Sequence, residues 1–267
     1  MTRSAPRLAI PVLPFLRVAL LALAPLALAP LAAAPALAQP LTPEQRGEVV
    51  EILREALKRD PSILREAFAT LEQAEQQERA AAQREAILAQ SAALLRDPAD
   101  PVRGNPRGDL AIVEFFDVRC GYCKMMHPAI QALLAEDPQI RVVMKDLPVL
   151  GPASVMASRA LLAAQRQDRY AAYQDALMQL RGEPTEAALR VEAERVGLDW
   201  TRLRRDMEDP AIQARLRHNL ELARQMSIQG TPALVIGGTL VPGAVDLPAL
   251  RQLVEQARRE GAGRKDQ

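Results

Sequence analysis

The chain of 267 residues holds two cysteines, and they stand two residues apart as Cys120-Gly121-Tyr122-Cys123. A pair this close closes a loop too small to staple a fold, so its purpose is chemical rather than structural. In thiol–disulfide exchange the nucleophile is the thiolate, so a site for that reaction must favour the sulfur anion. The start of a helix does so through unpaired N–H groups and the positive end of the helix dipole. Here an apolar run of strand length, Leu110 to Phe116, precedes the motif, and a helical pattern opens at Cys120 and continues to about Ala135. That context predicts that Cys120 is the exposed, attacking sulfur. Cys123, one turn in, is the more buried sulfur and resolves the mixed disulfide. Gly121 and Tyr122 are backbone neighbours of the reactive sulfur and tune it. The redox-active pair Cys120–Cys123 then needs no further cofactor.

Other uses of two thiols compete. A structural zinc site takes four ligands, and only His127 and His218 are available to complete one. A c-type haem site requires histidine directly after Cys123, where Lys124 stands. A Cu(I) site on the two thiolates, helped by Met125 or Met126, suits soft ligands. A copper-binding or copper-tolerance role is therefore the alternative reading. His127 follows Cys123 by one helical turn and is expected as a partly exposed helix residue. Asp117, just past the apolar run, reads as a cap or turn residue close to the surface.

The elements around the motif follow from pattern. Arg3, Arg7 and Arg17, an apolar stretch from Val18 to about Leu31, and Ala36-Leu37-Ala38 before Gln39 predict a secretory signal peptide over residues 1–38. Pro25, Pro30 and Pro35 interrupt the stretch and argue against a membrane anchor. Removing those residues leaves 31 basic and 33 acidic side chains, a near-neutral balance that argues against a nucleic-acid partner. Residues 39–97 are predicted as a helical extension. Val49, Leu53, Ala56 and Leu57 share one helical face, and Ile63, Leu64, Ala67, Phe68 and Leu71 another, on either side of a break at Asp60-Pro61-Ser62. Glu55 is placed to pair with Arg59. The stretch from Gln73 to Gln90 is poorly stabilised alone and wants a partner, so the extension reads as an oligomerisation stalk.

A domain boundary is expected in the turn-rich residues 97–108, with the catalytic domain over 98–260 and a flexible tail over 261–267. Ile140 to Lys145 is a second strand. An all-helical insertion of three to five helices is expected over about 152–226, with Asp199 and Asp209 as N-caps. Ala233 to Ile236, Gly237-Gly238 and Thr239 to Val241 read as a hairpin, and Leu247 to Glu260 as a closing helix.

Val113-Glu114-Phe115-Phe116-Asp117 leading into Cys120-Gly121-Tyr122-Cys123, with Thr231-Pro232 far downstream, resembles the DsbA-like family of bacterial disulfide oxidoreductases. The helical extension further resembles the ScsC-type and Com1-like members. The resemblance covers about residues 102–260 well and 41–97 more loosely. It implies an α/β thioredoxin fold with a helical insertion, matching the order of elements above. It implies a cis bond at Thr231-Pro232 facing the cysteines, where Pro232 offers no N–H and the Thr231 backbone pairs with a substrate chain. Glu114 matches the family's acidic residue beneath the active site. An ionisable group inside an apolar strand is costly without a task, here moving a proton to or from Cys123; the bland alternative is a strand-end carboxylate that reaches solvent. Gly-Tyr between the cysteines and Thr before the proline depart from the DsbA oxidase and are more similar to the isomerase DsbC. The expected location is the periplasm. The expected partners are cysteine-containing exported proteins, a membrane redox partner, and further copies of the chain joined through residues 41–97.

Overall fold

The computed structural model describes residues 40–265, so the expected signal peptide over residues 1–38 lies outside the described residues. The chain divides between Ser62 and Ile63 into two compact units. In the first, α1 (Pro43–Arg59) starts at a capping box. The Thr42 hydroxyl accepts from the Gln45 N–H at 3.3 Å, and the Gln45 side chain accepts from the Thr42 N–H at 2.9 Å. Glu55 pairs with Lys58 at 3.1 Å, where Arg59 was expected. No residue of α1 is buried, and Val49, Val50, Ile52 and Leu53 are exposed.

The second unit opens with α2 (Ser62–Ala89) and α3 (Ser91–Leu95), followed by β1 (Val102–Gly104), β2 (Leu110–Phe116), α4 (Gly121–Glu136) and β3 (Ile140–Asp146). Helices α5 (Pro152–Gln165), α6 (Tyr170–Gln179), α7 (Glu186–Arg195), α8 (Trp200–Asp206) and α9 (Pro210–Gln225) form the expected insertion. Asp199 and Asp209 cap α8 and α9 through their carboxylates, as their positions predict. Strands β4 (Ala233–Ile236) and β5 (Thr239–Pro242) and helix α10 (Leu247–Lys265) complete the unit. Helix α10 runs five residues beyond Glu260, so most of the tail expected to be free is helical.

The strands form one mixed sheet in the order β1-β3-β2-β4-β5, parallel only between β2 and β3. Alternation along the central strand β2 sorts its side chains between two cores. Ile112 and Phe116 face Cys123, Met126 and Ile130 of α4 together with α5, α6 and α10. Val113 and Phe115 face Ile87, Leu94 and the end of α9. At the β4–β5 turn, Gly237 and Gly238 have φ of 59° and 87°, a region open to glycine and strained for other residues. A Cβ on Gly237 would also lie 2.7 Å from the Ala257 Cβ, which is why α10 can approach the hairpin.

The second unit begins well before the turn-rich stretch at 97–108 where sequence places the boundary. The reason is that the end of α2 and all of α3 belong to the second core. Ile87 and Leu94 are buried there, and Arg141 donates to the Leu95 carbonyl at 2.9 Å. Buried Lys145 donates to the Ala93 carbonyl at 2.8 Å and pairs with buried Asp100. Strand β1 was not expected either. It is three residues long and lies inside that turn-rich region, paired with β3 at the sheet edge.

Candidate active site

Strand β2 ends at Phe116, and a short turn delivers Cys120 to the N-cap of α4. Asp117 builds that turn. Its carboxylate accepts from the N–H groups of Arg119 at 2.9 Å, Val149 at 3.0 Å and Leu150 at 3.1 Å, and its carbonyl accepts from the Cys120 N–H at 3.0 Å. It is a turn residue, as expected, but fully buried rather than near the surface, because the chain after β3 folds over it.

Cys120 is 7% exposed and Cys123 is fully buried, so the order of accessibility is as expected while Cys120 is more covered than a helix start alone suggests. The cover comes from Thr231-Pro232, whose peptide bond is cis. The Cys120 thiol donates to the Thr231 carbonyl at 3.1 Å. Burial pushes the Cys123 thiol far up, and neighbouring Cys120 adds to the effect against hydrogen bonds from Asp117 and Thr231. A thiol held in that state needs a proton acceptor before it can attack. Gly121 and Tyr122 form the first turn of α4; a Cβ on Gly121 would meet nothing, and Tyr122 is 67% exposed. Met125 is also exposed, as are Val149 and Leu150 in the loop that Asp117 holds, whereas Met126 is core. Apolar side chains thus stand in solvent on both elements beside the sulfurs.

Glu114 lies on the same sheet face as Ile112 and Phe116, the face that carries α4 and Cys123. It is 1% exposed, which rules out a strand-end carboxylate reaching solvent, and neither carboxyl oxygen has a hydrogen-bond partner. Burial pushes its pKa up to about 7, and the charge of Arg103 opposes the rise only in part. Arg103 comes from the unforeseen strand β1. Its guanidinium donates to Gln174 at 2.7 Å and to Asp175 at 2.6 Å. His127 meets the same Asp175 oxygen through Nε2 at 2.8 Å. His127 is therefore buried rather than partly exposed, because α6 covers this face of α4. Burial works to raise the Asp175 pKa, but the hydrogen bonds from His127 and Arg103, with their charges, hold it down at about 2.

Sequence reasoning missed a second buried carboxyl, Asp146, at the end of β3. Phe116 of β2 is its register partner, so it stands on the Glu114 face one diagonal step away. Tyr170 donates to it at 2.8 Å. The available signal was an acid at the end of the apolar run from Ile140; nothing in the sequence placed Tyr170 or Asp175 beside the site. Among the described residues no group of three or more His, Cys, Asp and Glu is arranged to hold a metal ion. No helix among them is long and apolar enough to cross a membrane.

Residues 111–255 match the DSBA-like thioredoxin domain family. A thioredoxin-like oxidoreductase from Silicibacter pomeroyi is 41% identical, with a TM-score of 0.62, over 63% of this chain and 97% of that one. The structure of Proteus mirabilis ScsC in a transitional conformation is 31% identical, with a TM-score of 0.61, over 82% of this chain and all of that one. The thiol:disulfide interchange protein DsbA of Bordetella pertussis is 25% identical over 172 residues, which is 60% of this chain and 82% of the relative. Among curated relatives, the chain also matches a Na(+)/H(+) antiporter NhaA of Salinispora tropica at 31% identity, but spans only 26% of that protein's length.

Proposed function

The chain belongs to the DsbA-like thioredoxin family, and from that premise we propose that it is an exported, periplasmic oxidoreductase that forms, shuffles or reduces disulfides in other exported proteins through Cys120 and Cys123. One observation carries the reading. A cysteine at a helix N-cap, 3.1 Å from the Thr231 carbonyl, is backed one turn later by a buried second cysteine. Cys120 attacks a substrate disulfide or receives one, a mixed disulfide forms, and Cys123 displaces the substrate thiol. Glu114 accepts the Cys123 proton as that attack begins, and a carboxyl with a pKa near 7 suits the task. The exposed apolar side chains of Tyr122, Met125, Val149 and Leu150 suit unfolded polypeptides as substrates. Gly-Tyr between the cysteines and Thr231 favour isomerase or reductase work over strong oxidation. Export rests on residues 1–38, and the return of electrons falls to a membrane redox partner.

The helical extension supports self-association. Exposed Val49, Val50, Ile52 and Leu53 on α1, and Ile63, Leu64, Phe68 and Leu71 on α2, follow helical spacing and suit burial against further copies of the chain. Several sites in one assembly would hold a misfolded chain while its bonds exchange.

The test is covalent trapping. Cys123→Ala exposed to a disulfide-bonded peptide should accumulate a peptide adduct on Cys120 that a reductant releases, while Cys120→Ala accumulates none. An adduct that forms equally well on Cys120→Ala, or none on either variant, overturns the assignment.

A further inference from the structure

Helix α2 reaches the surroundings of the active site. Ile87 is buried in the second core together with Met226 and Ala233. Gln83 lies one turn before Ile87 on the same face of α2. Its Nε2 donates to the Met226 carbonyl at 3.1 Å, and no group among the described residues donates to its Oε1. Gln83 thereby forms one wall of a cleft of about 460 Å³. The other walls are residues 227–233, which run from the end of α9 into β4, and Leu240 and Pro242 of the edge strand β5. Thr231 belongs to this lining, and its carbonyl is 3.1 Å from the Cys120 sulfur, so the cleft is continuous with the reacting atom.

We propose that this cleft seats the extended, uncharged segment beside the reacting cysteine of a substrate polypeptide, and that Gln83 contacts that segment and helps to select it. The inference rests on the thiol–disulfide reading above and brings a residue of the helical extension into the substrate site. Three features fit this occupant. The N–H groups of Gln229, Gly230 and Thr231 donate to no group among the described residues, so a chain laid along them finds a row of donors. The Gln83 Oε1 adds an acceptor for an N–H of the same chain. Ile228, Leu240 and Pro242 supply apolar surface between the polar groups, and none of the described lining residues carries a charge. A charged side chain drawn into the cleft would lose water and gain no partner, whatever its sign.

In the reducing direction the dithiol supplies the electrons. Cys120, as thiolate, attacks one sulfur of the substrate disulfide; the bond between the substrate sulfurs breaks, and one leaves as a thiolate. Cys123 then attacks Cys120, the second substrate sulfur leaves, and the Cys120–Cys123 bridge forms. Two electrons pass from the dithiol to the substrate disulfide, and the two thiol protons end on the two substrate sulfurs. Gln83 takes no part in these steps. It acts on the seating of the chain, and so on the half-saturating substrate concentration rather than on the limiting rate. A disulfide that carries no polypeptide has nothing to seat in the cleft and is indifferent to Gln83.

The experiment follows a single turnover of the reduced full chain with short peptides joined in pairs through one cysteine each, and with 2-hydroxyethyl disulfide as the small control. In one peptide the residues beside the cysteine are all uncharged; in two others one of them is aspartate or lysine. For the unsubstituted chain the half-saturating concentration should be about tenfold higher, or more, for both charged peptides. Gln83→Ala should raise it about fivefold for the uncharged peptide, leave the limiting rate within about twofold, and leave the reaction with the control unchanged. Gln83→Glu keeps the shape of the side chain and should favour the lysine peptide over the aspartate peptide, a preference that a merely structural role of Gln83 does not produce. Equal values across the three peptides, a penalty for one sign of charge alone, an unchanged value for Gln83→Ala, or slowing of peptide and control alike overturns the inference. The peptide series on the unsubstituted chain needs no variant, so a folding defect cannot spoil it. If that chain reduces neither peptide nor control, the functional reading itself fails; if it reduces both and ignores the flanking residues, the role of the cleft alone fails.

Discussion

Replacing Glu114 with glutamine should make the protein more stable at alkaline pH and leave it nearly unchanged at acid pH. The carboxyl is 1% exposed and burial raises its pKa from 4.5 to about 7. The sign follows directly. The folded state holds this proton more tightly than the unfolded chain does, so the contribution is fully favourable below the unfolded value of 4.5 and is lost as pH rises through about 7. A rise of that size, at roughly 1.4 kcal/mol per pKa unit, means that an ionised Glu114 costs about 3 kcal/mol. Glutamine removes the titration but leaves a buried amide in the same place, and that penalty is constant with pH. The difference in unfolding free energy between variant and parent should therefore move in the variant's favour by about 2 kcal/mol between about pH 5 and about pH 8. Urea unfolding of both proteins with the cysteines reduced measures it, and the slope of each transition must stay the same for the comparison to hold. A difference that is flat across that range would refute the reasoning, because it would mean that Glu114 is ionised in the fold at no cost.

Three further outcomes follow from other parts of the molecule. Asp100→Ala leaves the Lys145 ammonium buried against the Ala93 carbonyl without its carboxylate, and should cost about 3–5 kcal/mol in urea unfolding; a loss below about 1 kcal/mol contradicts the view that α3 is built into the domain. Gly237→Ala forces a side chain into φ of 59° and into the Ala257 Cβ, and should destabilise the fold by at least about 1 kcal/mol by thermal melting. Removal of residues 39–62 should lower the mass measured by light scattering by more than the deleted residues account for, and a change equal to the deletion alone rejects α1 as an association surface.

Periodicity made most of this fold legible. Leu110 to Phe116 and Ile140 to Lys145 announce central strands because both faces are apolar, and the structure adds only Asp146 to the second. Gly237-Gly238 between two short apolar runs could only be a tight turn, and Asp199 and Asp209 mark helix starts by their chemistry. Residue type and local context marked Cys120 and Cys123 at a helix start, where the structure places them, whereas the cis Thr231-Pro232 bond was legible only through the family resemblance. What escaped is what depends on distant chain segments meeting. Strand β1 is too short to carry a period, and its pairing with β3 is a tertiary fact. His127 and Asp117 look like surface residues because each is polar and near a helix start. Their burial comes from α6 and from the loop after β3, which lie 48 and about 32 residues downstream. The domain boundary was displaced because Ile87 falls in the stretch from Gln73 to Gln90, which reads as part of the extension until the second core that buries Ile87 and Leu94 is known.

The central claim is that Cys120 and Cys123 exchange electrons as a pair, and equilibration of the full chain against graded ratios of reduced and oxidised glutathione tests it most directly. Alkylation of free thiols followed by mass measurement should find only two species, both cysteines free or both bridged, interconverting reversibly with a single equilibrium constant. A chain whose two thiols stay free across every ratio, or that carries glutathione on one sulfur while the other remains idle, would contradict the account.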